Sequence, residues 1–211
     1  MAILESINVG EPRPIPGKST LTGIYKEPVE GEVTITKLGI EGDAILNRKH
    51  HGGKDQAIYL YFADDYRWWS EQLDQELAPG TFGENLTIAG VEGRIVSVGD
   101  RFTMDEVVLE VTSHRTPCAT FAARMDDPKF LKRFHQANRP GAYCRVIETG
   151  AIHAGEPVLH TPFAGAHVTV AELMALDGVR DLDADFLRRA LKAPIHHKMR
   201  TDYEERLAKL T

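Results

Sequence analysis

Short runs of alternating apolar and polar residues fill the first three quarters of the chain and predict β-strands. Clusters of glycine, proline and aspartate separate these runs, as turns do. The predicted strands are residues 3–9, 23–27, 33–38, 57–61, 85–89, 101–104, 107–112, 142–149 and 157–160. Many short strands at this spacing indicate a closed or nearly closed barrel.

Two stretches between the strands have the apolar spacing of amphipathic helices. In residues 64–77 the apolar positions recur every three or four residues, and this stripe consists of Tyr66, Trp69, Leu73 and Leu77. The spacing favours a core-facing stripe over a platform for stacking nucleic-acid bases. Asp127 followed by Pro128 is typical of a helix N-terminus and predicts a helix over 128–137.

Helical patterns replace the strand alternation in the last quarter of the chain. Thr169 and Glu172 have the spacing of a capping box, and two further helices are predicted at 185–192 and 196–210. A unit of this size is too small to be expected to fold alone, so it should pack on the barrel. The predicted division is residues 1–163 for the main domain and 164–211 for a three-helix extension.

Composition narrows the class of protein. The 211 residues are 42% hydrophobic and 27% charged, which is ordinary for a globular protein. A net charge of -6 argues against unspecific nucleic-acid binding. The first ten residues show no signal peptide, and no apolar run is long enough to span a bilayer. The sequence therefore predicts a cytoplasmic protein without a membrane or nucleic-acid-polymer partner.

The two cysteines have different settings. Cys144 lies in an alternating run and is expected to be buried in a strand, and a disulfide to Cys118 is disfavoured. Cys118 lies between a predicted strand and a helix, so a rigid scaffold can present its thiol to a cavity. The helix N-terminus and the neighbouring Arg115 would both favour the thiolate, which binds metals and attacks electrophiles.

Residues 39–56 contain the least regular segment of the chain, and long irregular segments in compact domains are often functional. Gly52 and Gly53 would let a ligand approach the backbone closely. The segment concentrates positive and imidazole side chains, namely Arg48, Lys49, His50, His51 and Lys54. Such a loop suits a phosphate or another anion. A solvated basic loop is the alternative.

Three polar residues near this segment could take part in a site. Asp43 and Asp55 flank the basic residues, and each could orient a histidine or an arginine or be a plain turn residue. Asn85 lies at the entry to a predicted strand, where its amide could read the edge of a heterocycle. A turn capped by the asparagine is the alternative.

The cysteines and histidines could supply metal ligands or a nucleophilic pair. A structural zinc held by Cys118, Cys144, His50 and His51 is disfavoured, because the chain has neither a Cys-x-x-Cys pair nor a helical His-x-x-x-His pair. A nucleophilic pair of Cys118 with His51 or His114 stays open, since it requires hydrogen-bond contact that the sequence does not show.

Six short motifs occur together in one order along the chain. They are Gly39-Ile-Glu-Gly-Asp43, His51-Gly-Gly-Lys-Asp55, Phe82-Gly-Glu-Asn-Leu86, Val98-Gly-Asp100, Arg115-Thr-Pro-Cys118 and Gly141-Ala-Tyr-Cys-Arg-Val146. This joint order resembles the MOSC domain family (molybdenum-cofactor sulfurase C-terminal domain), in particular its stand-alone bacterial YiiM type. The resemblance covers about residues 1–163, and the C-terminal helices resemble the small extension of that subgroup.

The resemblance implies a fold and a cofactor. The fold would be mainly β with helices, a MOSC β-barrel-like domain, and the cofactor the molybdenum cofactor (molybdopterin). Cys118 matches the family's protein ligand to molybdenum, and a soft thiolate suits a metal already bonded to sulfur. By the same resemblance, the candidates for contacts to the cofactor's phosphate and pterin are Arg48, Lys49, His51, Asn85, Arg115 and Arg139.

The resemblance also implies reduction of N-hydroxylated compounds, including N-hydroxylated purine bases. The cofactor would perform the redox chemistry, while the protein positions the substrate and supplies protons. Cys118, His51 and Asp55 are the catalytic candidates, the last two as proton donors. No flavin, haem or iron–sulfur signature is visible, so a separate electron-donating reductase, a flavoprotein, is expected. A cofactor carrier and a persulfide carrier on Cys118 remain alternatives, and the oligomeric state stays open, a homodimer included.

Overall fold

The computed structural model describes residues 1–16, 19–46 and 52–210. The strands are β1 Ala2–Gly10, β2 Arg13–Pro14, β3 Leu21–Thr22, β4 Lys26–Pro28, β5 Glu32–Thr36, β6 Gly39–Ile40, β7 Ile58–Phe62, β8 Leu86–Ala89, β9 Arg101–Met104, β10 Val107–Ser113, β11 Ala142–Glu148, β12 Gly150–His153 and β13 Pro157–Thr161. The α-helices are α1 Ala63–Leu73, α2 Ala119–Arg124, α3 Phe130–Ala137, α4 Val170–Ala175, α5 Ala184–Ala190 and α6 His197–Ala208.

Seven strands close into a barrel. Their order is β13-β9-β10-β11-β7-β8-β1, and β1 pairs with β13 to complete the ring. Strand β4 pairs with the last three residues of β1. The pairs are antiparallel except β7 with β8. The structure thus confirms the mainly β fold with helices that the alternating pattern predicts.

Alternate residues of strand β7 point to the two faces of the barrel wall. All five of its residues are buried, because each face packs against a different apolar cluster. Ile58, Leu60 and Phe62 belong to the barrel core, whereas Tyr59 and Tyr61 belong to an aromatic cluster outside the barrel wall. A strand covered on both faces needs no polar face, which explains its continuous apolar sequence.

The predicted stripe on α1 is part of that aromatic cluster. Tyr66 and Trp69 are buried, so the core-facing interpretation is confirmed and the base-stacking one is not. The helix ends at Leu73, earlier than predicted, because Asp74 adopts a left-handed conformation with φ of 50°.

Other predicted boundaries also shift. Helix α3 begins at Phe130 rather than at residue 128, since Asp127 Oδ1 accepts a hydrogen bond from the Lys129 N–H at 2.8 Å and forms a turn before the helix. The strand predicted over 23–27 is wrong for residues 23–25, since β3 ends at Thr22 and β4 begins at Lys26. The sequence pattern gave no separate prediction of β12.

Three helices after the barrel form the C-terminal helical unit, α4 to α6. The Thr169 hydroxyl accepts from the Glu172 N–H at 3.0 Å, which confirms the predicted cap of α4. The unit packs around its own apolar cluster, but that cluster includes Val98 of the barrel region. The Val98 N–H donates to the Val168 carbonyl at 2.9 Å. The unit is therefore bound to the barrel by backbone and side chains. The division at residue 163 remains a proposal.

Among the helices of the described residues, none combines the length and the apolar character that crossing a membrane requires.

Candidate active site beside Cys118

A cavity brings together Cys118, Arg115 and Asn85, three of the residues that the sequence singled out. The segment 20–24 and the segment 44–46 line one part of it. Tyr59 of β7 and Tyr143 of β11 line another part. We call this the Cys118 cavity. Its lining comes from segments far apart in sequence, so the fold is what assembles it.

Cys118 occupies the junction between a strand-end loop and α2. Its backbone is extended, with φ of -128°, and its carbonyl accepts from the N–H groups of Phe121 at 2.9 Å and Ala122 at 3.2 Å. These bonds fix the start of the helix. The residue is partly exposed, whereas Cys144 is completely buried in β11, as predicted. Cys118 is therefore the cysteine that a ligand in the cavity can reach.

Arg115 places a buried positive charge beside this thiol. The residue is 5% exposed, and its guanidinium donates to the Phe82 carbonyl. Its Cζ lies 4.2 Å from the ring centre of Phe121 and 5.0 Å from that of Tyr59. Burial opposes the charge, but attraction to neighbouring tyrosines and to Cys118 outweighs burial and raises the pKa of Arg115. No carboxylate within the described ranges pairs with Arg115.

Asp43 is the centre of a buried polar network on the same cavity. Its carboxylate accepts from the Gly10 N–H and from Asn85 Nδ2, each at 2.9 Å, and from Lys26 Nζ. Burial lowers the pKa of Lys26, while the neighbouring Asp43 works against that shift. The charges of Lys26 and Asp43 offset one another, so Arg115 gives this part of the cavity its net positive charge.

Asn85 is held by the same network. Its Oδ1 accepts from the Tyr59 N–H at 3.1 Å while its Nδ2 donates to Asp43. An amide offers two hydrogens and two lone pairs, so one hydrogen and one lone pair remain for a ligand. The amide is therefore oriented in advance, as the prediction for a heterocycle edge requires.

Asp55 lies at the start of α6 rather than at the Cys118 cavity. It is absent from the lining of the Cys118 cavity, and its Oδ2 accepts from the N–H and from Nδ1 of His197, at 2.9 and 2.8 Å. Its Oδ1 lies 3.1 Å from Nε of Arg145. Burial would raise the pKa of Asp55, but the bonds from His197 and the charge of Arg145 prevail and lower it. The residue holds α6 against the barrel, and this position does not favour a proton donor to a ligand at Cys118.

Asp55 also belongs to the one group of potential metal ligands found in the described part of the chain. Ligand atoms of Asp55, His196 and His197 lie within 4.8 Å of one another. The guanidinium of Arg145 already neutralises the carboxylate and would repel a cation, so an ion pair accounts for this group.

Arg139 is likewise outside the cavity lining. Its guanidinium pairs with Asp65 of α1 and lies 4.7 Å from the ring centre of Trp68. Burial raises the pKa of Asp65, and Arg139 opposes that shift. The geometry assigns Arg139 to the support of α1 rather than to the cavity.

The remaining predicted contacts, Arg48, Lys49 and His51, lie outside the described residues. Their described neighbours Leu46 and Gly52 both line the Cys118 cavity. The roles of the three residues stay predictions.

Sequence reasoning missed Lys26, Tyr59 and Tyr143 as lining residues. Tyr143 lies within one of the six motifs, so the motif was a signal for it. Tyr59 lies in a predicted strand, where alternation does not distinguish a cavity from a core. No local pattern marked Lys26, because its partner Asp43 is reached only through the fold.

Comparison with known proteins gives a consistent set of relatives. Residues 47–159 match the family model of the MOSC domain. The chain is 36% identical over 152 residues to the uncharacterized protein YflK of Bacillus subtilis, which covers 71% of this chain and 69% of YflK. It is 32% identical over 176 residues to protein YiiM of Escherichia coli, and the match covers 82% of this chain and 78% of that protein. A reductase of Gibberella moniliformis is 32% identical over 146 residues, 67% of this chain but 26% of that protein.

Solved structures agree with these matches. The crystal structure of YiiM from Geobacillus stearothermophilus superposes with a TM-score of 0.81 at 26% identity, covering 98% of this chain and all of that one. The crystal structure of YiiM from Escherichia coli gives a TM-score of 0.77 at 25% identity and covers 100% of this chain and 94% of that one. The likeness therefore includes the C-terminal helical unit as well as the barrel.

Proposed function

Because the chain belongs to the MOSC domain family, we propose that it binds a molybdenum cofactor and serves to reduce N-hydroxylated compounds, with N-hydroxylated purine bases as the substrate class. The observation that carries this proposal is the partly exposed thiol of Cys118 in a cavity beside the buried cation of Arg115.

The residues of the Cys118 cavity fit such a cofactor chemically. Cys118 offers a soft sulfur ligand, which suits a metal that carries other sulfur ligands. Arg115 offers a permanent positive charge and Asn85 a fixed amide, and both suit an anionic group attached to a heterocycle. Arg48, Lys49 and His51 are proposed as further contacts to the phosphate. When bound, the cofactor would supply the two electrons that convert N–OH to N–H and water.

The chain's own part in this reaction is binding, orientation and hydrogen bonding. Arg115 stabilises the charged form of the thiol at Cys118. Burial raises the pKa of Tyr143, so its hydroxyl stays protonated at neutral pH and can donate a hydrogen bond to an oxygen of the substrate. Among the predicted proton donors, His51 remains the candidate, since Asp55 is engaged with α6.

Electrons must come from another molecule. We propose a separate electron-donating reductase, a flavoprotein, as the partner. The reductase of Gibberella moniliformis, of which this chain covers 26%, supports a link between this domain and reduction in a larger protein. A reducing compartment, the cytoplasm, would keep both cysteines as thiols.

The proposal is tested by molybdenum analysis of three proteins purified from a host that makes the cofactor: the wild type, Cys118→Ser and Cys144→Ala. We expect Cys118→Ser to hold at least about tenfold less molybdenum, because the variant lacks the thiolate ligand. Cys144→Ala is the matched control, since Cys144 is buried away from the cavity and should affect stability rather than metal content.

Equal molybdenum in Cys118→Ser and the wild type would contradict the assignment of the ligand. Activity is measured as conversion of N-hydroxyadenine to adenine with a chemical reductant. Loaded wild-type protein that leaves this substrate unchanged would favour a cofactor carrier. An added sulfur on Cys118 in a mass spectrum, after treatment with a sulfur donor, would favour the persulfide carrier.

A further inference from the structure

A second cavity, of about 310 Å³, lies where the end of β10 meets the start of α6. Its lining comes from the barrel and the C-terminal helical unit together: Gln56, Ser113, His114, Thr116, Tyr143, His196, Lys198 and Met199. The volume falls at the lower end of the range of small-molecule sites, roughly 300 to 1000 Å³. The His196 N–H donates to the Thr112 carbonyl at 2.9 Å and fixes α6 to the strand.

Two buried polar atoms of this lining have no hydrogen-bond partner within the described chain. They are Oγ of Ser113, a residue 3% exposed, and Nδ1 of His114, a residue 5% exposed. Buried polar atoms are almost always hydrogen-bonded, and leaving one unsatisfied costs roughly 1–3 kcal/mol. Because both residues line the cavity, their unsatisfied atoms point to an occupant that supplies the missing hydrogen bonds.

The backbone places Ser113 at an irregular point of the sheet. The register of β10 on β11 shifts between Val111 and Ser113, and Ser113 then pairs with Tyr143. Such bulges re-aim a side chain and are frequent beside binding sites. Ser113 therefore departs from the regular alternation of the barrel wall.

His114 determines what kind of atom the occupant must offer. Its Nε2 lies 3.3 Å from the Thr116 hydroxyl and 3.7 Å from the Asp177 carboxylate. The bond from His114 is the main reason that the pKa of Asp177 is lowered. In the tautomer whose Nε2–H faces these two neighbours, Nδ1 carries a lone pair. An occupant bonded to this tautomer donates a hydrogen to Nδ1, as a ring N–H or an N–OH does.

The charges around the cavity favour a neutral occupant. Burial, followed by the neighbouring His197, lowers the pKa of His196 to about 4, so His196 is neutral at pH 7. The N–H of His197 at the start of α6 is already bonded to Asp55. Among the described residues of the lining, Lys198 is the cationic side chain, and it is exposed. An anion would therefore find no buried lysine or arginine among these described residues.

The second cavity adjoins the Cys118 cavity, because Gln56 and Tyr143 line both. A flat ring in the second cavity would lie beside Tyr143 and the flexible, polarisable side chain of Met199. A group projecting from that ring past Tyr143 would approach the Cys118 cavity.

We propose that the second cavity binds a neutral, planar nitrogen heterocycle of the nucleobase class, with Ser113 and His114 hydrogen-bonding its polar edge. Its identification as the subsite for the substrate base rests on the function proposed above. The C-terminal helical unit would then complete the site rather than only stabilise the barrel.

The test is binding of adenine to the full chain made without cofactor, measured by calorimetry at pH 7. We expect the wild type and Cys118→Ser to bind adenine equally, since Cys118 lines only the other cavity. Ser113→Ala should bind about five- to tenfold more weakly through loss of one hydrogen bond, and His114→Phe at least as weakly.

Ser6→Ala is the matched control for Ser113→Ala. Both serines are buried, but the Ser6 hydroxyl donates to Asn8 Oδ1 at 2.8 Å and is not in either lining. We expect Ser6→Ala to lower the thermal unfolding midpoint without changing adenine affinity. Ser113→Ala should leave the midpoint unchanged or raise it, since it removes an unsatisfied hydroxyl.

Three results would overturn the proposal: no adenine binding by the wild type, affinity unchanged in both Ser113→Ala and His114→Phe, or binding of inorganic phosphate in place of adenine. A failure of the molybdenum assignment is a separate result, because it appears in metal content and leaves adenine binding intact. In loaded protein, Ser113→Ala should raise KM for the N-hydroxylated base with little change in kcat.

Discussion

Around the Cys118 cavity, each side-chain polar atom of Asp43 and Asn85 has a hydrogen-bond partner. Around the second cavity, Ser113 and His114 each have a buried polar atom without a partner in the described part of the chain. A network satisfied within the protein is rigid in advance and suits a group that stays bound. Unsatisfied polar atoms gain hydrogen bonds only when a ligand binds, and this suits a molecule that binds and dissociates. This contrast agrees with the proposal that the Cys118 cavity holds a cofactor and the adjoining second cavity a substrate.

The largest expected loss of stability comes from disrupting the network of Asp43, Lys26 and Asn85. Asp43→Ala would leave Lys26 as a buried charge without its partner, and loss of one member of a buried pair costs about 3–5 kcal/mol. We expect the free energy of unfolding, measured with urea, to fall by that order.

The double variant Lys26→Met, Asp43→Leu should recover much of this loss, because it removes both charges together. Glu27→Gln is the control for an exposed ion pair, that of Arg13 with Glu27, and should change stability little. A loss no larger for Asp43→Ala than for Glu27→Gln would show that the network does not hold the cavity.

A smaller effect is expected from His196, which lines the second cavity at the start of α6: it should make stability depend on pH. His196 has a pKa of about 4 when folded and an ordinary value near 6.5 when unfolded, so the unfolded state binds more protons between these values. Stability should therefore fall as pH decreases from about 6.5 to about 4, by at most about 3 kcal/mol.

His196→Asn should flatten this part of the profile. Asparagine can replace the histidine as the cap that accepts from the Lys198 N–H, but it does not titrate. The groups that face His196 are His197, Lys198, Arg145 and Asp55. An unchanged pH profile in His196→Asn would assign the acid sensitivity to another group.

The smallest expected effect on stability is that of removing one hydroxyl group, from Tyr59 at the Cys118 cavity or from Ser113 at the second cavity. Tyr59→Phe removes a buried hydrogen bond of 2.8 Å to the Pro140 carbonyl and should cost about 1 kcal/mol in unfolding free energy. Ser113→Ala in the ligand-free protein should stay within about 0.5 kcal/mol of the wild type. Equal losses in the two variants would remove the distinction between satisfied and unsatisfied polar groups.

Much of the barrel was predictable, because alternation along a strand is a local property. Strand β9 matches its predicted range, and β10 and β11 differ from theirs by one residue at an end. The closure of β1 on β13 joins residues from opposite ends of the barrel, and no local pattern specifies that pairing.

The candidate site was predictable only in part. Arg115, Asn85 and Cys118 could be identified because each lies in a short motif, and the fold places all three on one cavity. Asp55 and Arg139 also lie in or beside motifs, but their side chains pair with His197 and Asp65 respectively. A motif identifies a residue without giving the direction of its side chain.

The sequence by itself determined the mainly β architecture, the capped C-terminal helices and a thiol at a strand-to-helix junction, because these depend on neighbours a few residues apart. The tertiary structure alone decided that Asp55 bonds a helix 142 residues away and that Ser113 meets α6 across a cavity. The reason is physical. Alternation and capping determine which face of an element is buried, while the packing of distant elements determines which polar atoms are satisfied and which remain for a ligand.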